Sequence, residues 1–169
     1  TLVDERIVPV QHTDSNTQLV RQHLLQNQAA QAQWLPMIDD NATESSLHNI
    51  AQAVAFALQH YQQPDVLVLG MGADGHTASL FPNKTDFADE NLAVIAKHPE
   101  SGQLRISKTA KLIEQAKRIT YLVTGEGKAE ILKEIQTTPA ENLPYPAAKI
   151  KAKNGVTEWY LDKAAAKLL

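Results

Sequence analysis

The sequence contains no cysteine among its 169 residues. This absence excludes disulfides, thiolate nucleophiles and cysteine-ligated zinc, and it fits a reducing cytosol. Long hydrophobic runs are also missing, since the longest apolar stretches, Ala53–Leu58 and Val66–Leu69, are far shorter than the roughly 20 residues that span a bilayer. No pattern typical of a secretory signal peptide opens the chain. We therefore expect a cytoplasmic protein with no membrane partner.

Dense clusters of basic residues are missing as well. The chain has 16 Lys and Arg against 19 Asp and Glu, a net charge of −3 and a pI near 6.0. Nucleic-acid binders usually carry a basic face, so we expect no nucleic-acid partner. The content of 43% hydrophobic and 21% charged residues is that of an ordinary globular chain. The length predicts a single domain over residues 1–169, and a monomer is favoured over an oligomer.

The start of the chain is unusual. It begins at Thr1 and enters an apolar stretch directly at Leu2 and Val3. Termini of natural domains are usually exposed and loosely held. We therefore expect a fragment that lacks an N-terminal part and holds two-thirds or more of the complete domain. A complete domain that was trimmed by processing is the alternative.

Strand and helix signals alternate along the chain. The predicted strands cover residues 2–8, 65–70, 92–96, 118–124 and 157–161. The predicted helices cover residues 15–26, 43–62, 108–116, 126–136 and 162–168. Strands that alternate with helices of about ten residues imply βαβ units. The predicted fold class is α/β, a mostly parallel, Rossmann-like sheet flanked by helices.

Two of these elements carry finer expectations. The branched apolar run at 65–70, which lies between Pro64 and Gly70, is typical of a strand that is buried on both faces. The first helix, capped by Asp14 or Ser15, carries a partial apolar stripe. Its members are Leu19, Leu24 and Leu25.

Residues 70–76 follow a predicted strand and contain the spacing G-x-G-x-x-G. Alone, this spacing suggests a dinucleotide-binding turn. Three features oppose that interpretation. Pro82 leaves room for barely two helical turns, Asp74 would repel a pyrophosphate, and the acids able to bind a ribose precede the next strand instead of ending it. We therefore expect no dinucleotide cofactor.

The same loop places Asp74 and His76 at the carboxyl end of a central strand, where open α/β sheets bind their ligands. Histidine has an ordinary pKa of about 6.5, which suits proton transfer near neutrality. Flanking glycines allow tight turns and the close approach of a substrate. We predict a catalytic role for His76 with Asp74 as its partner. A structural histidine in a turn is the alternative.

The other five histidines carry weaker signals. His23, His48 and His60 lie on predicted helices among polar neighbours, so we expect them to be solvated. His98 precedes a proline in a loop, and His12 lies near the charged residues of the first strand, where its role stays open. No pair has a metal-ligand spacing such as H-E-x-x-H, so we expect no metal site.

Three basic residues lie at the boundaries of predicted elements. Lys128 occupies the start of a helix, where free amides and a partial positive charge attract anions and disfavour a lysine. Arg6 and Arg105 lie at other boundaries. We interpret the three as a cationic cluster for a phosphorylated metabolite. Ordinary solvated cations are the alternative for each.

These segments together resemble the 6-phosphogluconolactonase family. The blocks that carry the resemblance are Asp4–Pro9 (DERIVP), His12–Asn16, Gly70–Pro82 (GMGADGHTASLFP), Arg105–Ser107, Thr124–Ala129 and the ending around Trp159 and Asp162. They occur in the family's order over essentially the whole chain. Members of the family carry a further N-terminal region with a phosphate-binding loop, which agrees with the expected fragment.

The resemblance implies the fold shared with glucosamine-6-phosphate deaminase and ribose-5-phosphate isomerase. It implies a sugar-phosphate lactone as small-molecule substrate, hydrolysis of 6-phosphoglucono-δ-lactone, and no obligatory cofactor. On this basis we expect His76 to act as general base, with Asp74 and Asp4 assisting. We expect three residues to bind the substrate phosphate, namely Arg6, Arg105 and Lys128.

Two alternatives stay open. Glucosamine-6-phosphate deaminases share the G-x-D-G-H loop, but they continue into a Phe-Asn-Glu-Pro run, whereas this chain has Ser79-Leu80-Phe81-Pro82 without a carboxylate. They also usually carry Tyr where this chain has Arg6. A non-catalytic sugar-phosphate sensor is the second alternative, and the presence of both Asp74 and His76 speaks against it.

Overall fold

Two three-stranded sheets with intervening helices confirm the α/β class. The computed structural model describes all 169 residues, and their contacts separate two units, residues 1–62 with 93–107 and residues 63–92 with 108–169. The single-domain organisation stays a prediction. None of the helices is long and apolar enough to cross a membrane.

The principal elements in chain order are β1 (Asp4–Arg6), α1 (Asn16–His23), α2 (Glu44–Leu47), α3 (Ile50–Gln59), β2 (Val66–Leu69), β3 (Ala93–Lys97), β4 (Leu104–Lys108), α4 (Ala110–Ile113), β5 (Arg118–Val123), α5 (Ala129–Thr137), α6 (Pro146–Lys149) and β6 (Val156–Leu161). Short 3-10 turns cover Asn27–Gln31, Glu126–Lys128 and Ala140–Asn142.

The first unit contains the sheet β1-β4-β3, in which β1 pairs antiparallel with β4. Val10, Ile38 and Ile106 are among its buried side chains, with exposed fractions of 4%, 1% and 0%. The antiparallel pair was not foreseen, because the sequence analysis predicted no strand at 104–108. Two basic residues within that short run obscure its apolar signal.

The helices of the first unit differ from the predicted ones. Ser15 caps α1 as expected, but Leu19 and Leu24 are 55% and 64% exposed, so the predicted apolar stripe does not face the core. The single long helix predicted at 43–62 is two helices. Its continuity is broken at Asn49, whose side chain accepts the Gln52 N–H at 3.3 Å and so caps α3 as a new helix.

The second unit contains the parallel sheet β2-β5-β6. The face that carries Leu69, Ile119 and Tyr121 is buried, with exposed fractions of 2% or less. On the other face, Val66 and Val68 are 57% and 62% exposed. The prediction that this strand is buried on both faces was therefore wrong. Exposed and buried side chains alternate along β2, because only one face of the sheet carries packed side chains.

Two predicted helices of the second unit also need correction. The helix predicted from residue 108 begins only at Ala110, since Thr109 accepts the Leu112 N–H and caps it. Residues 162–168 form turns instead of a helix. There the Asp162 carboxylate accepts the Ala165 N–H at 2.7 Å and closes a local turn.

Strand β5 offers a direct test of the one-sided burial. Ile119→Ala is expected to lower the free energy of unfolding by about 2–5 kcal/mol, because it leaves a cavity in the packed face. Leu122→Ala, on the exposed face of the same strand, is the matched control and is expected to change it by less than about 0.5 kcal/mol. Chemical denaturation measures both, and equal losses would contradict the assignment of the two faces.

Candidate active site

The loop that follows β2 is closed by its own backbone. The Gly72 N–H donates to the His76 carbonyl at 2.9 Å, and the Gly75 N–H donates to the Gly72 carbonyl at 3.1 Å. Gly75 has φ +80°, which disfavours a side chain. A Cβ at Gly72 would lie 2.1 Å from His76 Nδ1. Glycine at position 72 therefore makes room for the imidazole, and no phosphate is needed to explain the motif.

Asp74 and His76 form a hydrogen-bonded pair. Asp74 Oδ1 lies 2.6 Å from His76 Nδ1 and also accepts the His76 backbone N–H at 3.1 Å. Burial alone would raise the pKa of the Asp74 carboxyl, but these two hydrogen bonds outweigh it and the pKa lies below its ordinary value. The carboxylate is thus ionised near neutral pH. With Nδ1 donating to it, the basic nitrogen of the neutral imidazole is Nε2.

The imidazole is also held by packing. The His76 ring centroid lies 5.0 Å from that of Phe81, which is 2% exposed. Thr77, the next residue, is buried and donates its hydroxyl to the Gly70 carbonyl at 2.8 Å. One side of the ring is therefore fixed by the loop and the core, while a quarter of its side-chain surface remains exposed.

Lys128 lies at the start of α5, as predicted, in the segment that follows β5. Gly125 begins this segment with φ +94°, and its N–H lies 3.1 Å from both carboxylate oxygens of Asp162. The Lys128 side chain makes no capping hydrogen bond to the helix. Strands β2 and β5 are parallel neighbours, so the His76 and Lys128 segments leave the same edge of the sheet.

Arg105 lies within β4 and not at the predicted element boundary, and it faces Arg6 across the β1–β4 ladder of the first unit. The Ile7 N–H donates to the Leu104 carbonyl at 2.9 Å, so the neighbouring Arg6–Arg105 pair occupies a non-hydrogen-bonded position, where side chains approach most closely. Burial, together with the charge of Arg6, lowers the pKa of Arg105 despite opposing effects of Asp4 and Asp14. Like charges opposite each other are unfavourable unless an anion compensates them.

The surroundings of Arg6 favour the same interpretation. Its Nη1 donates to the Asp14 carbonyl at 2.5 Å, and its Nε is buried without a hydrogen-bond partner. Asp4 is half-buried and pairs with Ser107 two positions along the ladder. The first unit therefore holds Asp4, Arg6 and Arg105 on one face of β1 and β4, and the second unit holds Asp74, His76 and Lys128. The functional roles of all six stay predictions.

Glu5 was missed by the sequence analysis. Its carboxylate is 1% exposed and accepts the backbone N–H groups of Arg6 at 2.8 Å, Asn16 at 2.8 Å and Thr17 at 2.7 Å. It therefore joins β1 to the first turn of α1. Alternation along the strand was the available signal, because a carboxylate between Asp4 and Arg6 must point to the opposite, inner face.

Lys108 was missed as well. It ends β4 and is 5% exposed, and its burial lowers the pKa of the ammonium to about 8. From the sequence it was predicted to begin the helix at 108–116. A lysine at the junction of a strand and a capped helix gives no burial signal by itself, so only packing reveals it.

Of the remaining histidines, His60 is partly buried instead of solvated as predicted, because its Nδ1 lies 2.9 Å from the Phe56 carbonyl oxygen and its ring packs against that of Phe56. His12 Nδ1 accepts the Asp14 N–H at 3.1 Å, and the ring lines a cavity of about 350 Å³ in the first unit together with Glu44 and His48. No three His, Asp or Glu side chains in the chain are grouped so that they could hold a metal ion. His12 therefore has a structural partner in Asp14, whose carbonyl also accepts from Arg6.

The sequence matches the model of the family described as glucosamine-6-phosphate isomerases/6-phosphogluconolactonase over residues 1–159. It is 62% identical to the 6-phosphogluconolactonase of Haemophilus influenzae over 167 residues, which cover 98% of the chain and 72% of that protein. It is 89% identical to the 6-phosphogluconolactonase of Aggregatibacter actinomycetemcomitans over 105 residues, which cover 62% of the chain and 45% of that protein.

Among solved structures, the devB protein matches with a TM-score of 0.82 and 47% identity, covering 98% of this chain and 71% of that one. This likeness confirms the predicted fold class. The matched stretch thus spans less than three quarters of the Haemophilus protein and less than half of the Aggregatibacter protein.

The buried lysine predicts a pH-dependent stability. Its pKa is about 8 in the folded state, and an unfolded lysine keeps its proton to about pH 10.4. Between these pH values the unfolded state binds more protons than the folded state. The free energy of unfolding of the wild type therefore rises with pH over this range. Lys108→Met is expected to raise the free energy of unfolding at pH 7 by at most about 3 kcal/mol, with a gain that shrinks by pH 9.5.

Urea denaturation at several pH values measures this difference. Lys133→Met, at an exposed position of α5, is the control and should give a small difference that does not vary with pH. If the free energies of unfolding of Lys108→Met and the wild type differed by the same amount at every pH, the lowered pKa of Lys108 would be contradicted.

Proposed function

Because the chain belongs to the glucosamine-6-phosphate isomerase/6-phosphogluconolactonase family, we propose that it hydrolyses 6-phosphoglucono-δ-lactone to 6-phosphogluconate in the oxidative pentose phosphate pathway. The observation that carries the proposal is the 2.6 Å contact between Asp74 and His76 at the carboxyl end of a parallel strand. That contact orients a base next to the edge where α/β sheets bind ligands. We further propose a cytoplasmic, monomeric enzyme.

The proposed reaction uses the imidazole twice. His76 Nε2 accepts a proton from a water molecule as the water oxygen attacks C1 of the lactone, which gives a tetrahedral oxyanion. The oxyanion then collapses, the bond from C1 to the ring oxygen breaks, and the protonated imidazole returns the proton to that oxygen. Asp74 stabilises the imidazolium and keeps Nε2 toward the substrate. General base catalysis of this kind contributes about 10²–10⁴-fold.

The reaction requires no stronger nucleophile, because a lactone is an activated ester. A nucleophilic serine is not favoured, since neither Ser79 nor Ser107 lies in a G-x-S-x-G turn, and both are buried. The proton balance closes on the single imidazole, so the mechanism calls for no cofactor.

The substrate phosphate is proposed to bind Arg6, Arg105 and Lys128, with Asp4 assisting the base. Support comes from the like-charged ladder pair in the first unit and from the lysine at the start of α5 in the second. Arginine forms bidentate, charge-assisted hydrogen bonds to phosphate oxygens, which fix orientation as well as affinity. A phosphate held at a fixed point sets the lactone in register for attack.

The deaminase alternative is less well supported. In deaminases the loop continues into a run with a carboxylate that partners the histidine. In this chain the corresponding residues Ser79, Leu80 and Phe81 are each 3% exposed or less and carry no carboxylate. The acidic partner of His76 is Asp74, inside the loop. A base with no carboxylate in the segment that follows its loop suits water activation better than sugar ring opening.

Removal of the imidazole tests the base. His76→Ala, made in the complete gene product that contains these residues, is expected to lower kcat for 6-phosphoglucono-δ-lactone by about 10²–10⁴-fold with KM changed little. The assay follows acid release above the spontaneous rate. His23→Ala, at an exposed helix position, is the control and should retain wild-type turnover. Full turnover by the His76→Ala variant would refute the proposed base.

Substitution of the cations tests the phosphate site. Lys128→Ala and Arg6→Ala are each expected to raise KM by roughly tenfold or more, because a hydrogen bond to a charged group contributes about 1.5–3 kcal/mol. Initial rates at varied lactone concentration give KM and kcat separately. Lys133→Ala on the same helix should leave both unchanged. A fall in kcat alone in the two variants would argue for a role other than phosphate binding.

A further inference from the structure

Tyr145 packs against the catalytic loop from outside it. A Cβ built on Gly75 would lie 2.5 Å from Tyr145 Cδ1 and 2.6 Å from its Cγ, so the ring lies directly over the Gly75 α-carbon. Two residues later, the Ala147 N–H donates to the Gly75 carbonyl at 3.1 Å. Gly75, which separates Asp74 from His76, is therefore held at its α-carbon by the Tyr145 ring and at its carbonyl by the Ala147 N–H.

The tyrosine is itself held from helix α5. Its hydroxyl donates to Glu134 Oε2 at 2.6 Å, a length typical of a hydrogen bond to a carboxylate. This hydrogen bond, with burial adding to it, raises the pKa of Tyr145 to about 12, so the phenol keeps its proton throughout the neutral range. Glu134 lies on the helix that begins directly after Lys128.

We propose that Tyr145 is a positioning residue for the Asp74–His76 pair and that its ring fixes the Gly75 backbone, with the hydrogen bond to Glu134 making a smaller contribution. The role of the pair in catalysis rests on the proposed function, but the positioning is a property of the loop itself. Neither residue carries a signal in the loop motif, since both lie more than 55 positions beyond it in the sequence.

The left-handed residue of the loop is Gly75. Gly75 has no side chain that could anchor it by packing into the core. Its φ of +80° is one of several conformations open to a glycine. The Tyr145 ring fills the space that a side chain would occupy. Without it, the Asp74 carboxylate and the His76 ring lose the fixed backbone that keeps them 2.6 Å apart.

The test measures the imidazole tautomer and the reaction separately. Nitrogen NMR of histidine-labelled protein reports which ring nitrogen of His76 carries the proton, and this depends on the hydrogen bond at Nδ1. In the wild type we expect the Nδ1–H form. Tyr145→Ala is expected to give a mixture of tautomers and to lower kcat by roughly tenfold, with KM changed less than about twofold, because a small misplacement of a catalytic group is costly.

Four further variants separate the contributions. Tyr145→Phe keeps the ring over Gly75 and loses the hydroxyl, so it should retain the tautomer and at least about half of kcat. Glu134→Gln keeps a hydrogen-bond acceptor and should behave like the wild type. Tyr160→Ala removes an exposed tyrosine from β6 and controls for the loss of an aromatic ring. Should Tyr145→Ala fail to fold, Tyr145→Leu keeps bulk without the planar ring and is expected to show the same two changes.

Each outcome bears on the proposal. A His76 tautomer and kcat unchanged in Tyr145→Ala and Tyr145→Leu would overturn it, as would a fall in kcat with an unchanged tautomer. Tautomer mixing in the wild type would also overturn it, because a positioned pair requires the Nδ1–H form whether or not the protein hydrolyses the lactone. A tautomer that shifts only in the Tyr145→Ala and Tyr145→Leu variants supports the positioning role, even if lactone hydrolysis is absent and the proposed function fails.

Discussion

The parallel pairing of β2 with β5 is the constraint on which the second unit's functional geometry depends. Register along this pair aligns Leu69 with Tyr121, so the chain leaves both strands at one edge of the sheet. One exit leads into the glycine loop with Asp74 and His76, and the other leads into the segment with Lys128. An antiparallel pairing would send the two segments to opposite edges. The directions of two strands thus decide which side chains lie at the edge where acid–base chemistry is proposed.

Short-range hydrogen bonds then convert this placement into chemistry. The loop is closed by its own amides, the imidazole is oriented by the carboxylate two residues before it, and Gly125 is held by the Asp162 carboxylate. In the first unit, Glu5 plays the corresponding part for β1, because its buried carboxylate joins the strand to helix α1. In both units a carboxylate that accepts backbone N–H groups sets the position of charged neighbours. These acids are structural in the sense that they orient the groups beside them.

Much of the candidate site could be predicted from the sequence because its signals are local. Asp74 and His76 lie two residues apart, and a contact at that spacing requires only a tight glycine turn. Lys128 follows a strand-to-helix boundary that the apolar pattern reveals. By contrast, β4 and its pairing with β1 were missed, because Arg105 faces Arg6 only through a ladder that joins positions about 100 residues apart. Lys108 and Tyr145 were missed for the same reason, since burial and long-range contact leave no mark on neighbouring residues, whereas Glu5 was missed although alternation along β1 indicates its inner face.

The sequence by itself determined the α/β class, the glycine loop with its neighbouring acid and histidine, and the position of Lys128 at a strand-to-helix boundary. These features depend on periodicity, turn chemistry and spacings of a few residues. Tertiary structure alone decided which face of β2 is packed, where the long predicted helix breaks, that two arginines oppose each other, and that a tyrosine covers Gly75. Such features depend on contacts between distant segments, because the free energy of burial and of cross-strand pairing is set by the partner and not by the local sequence.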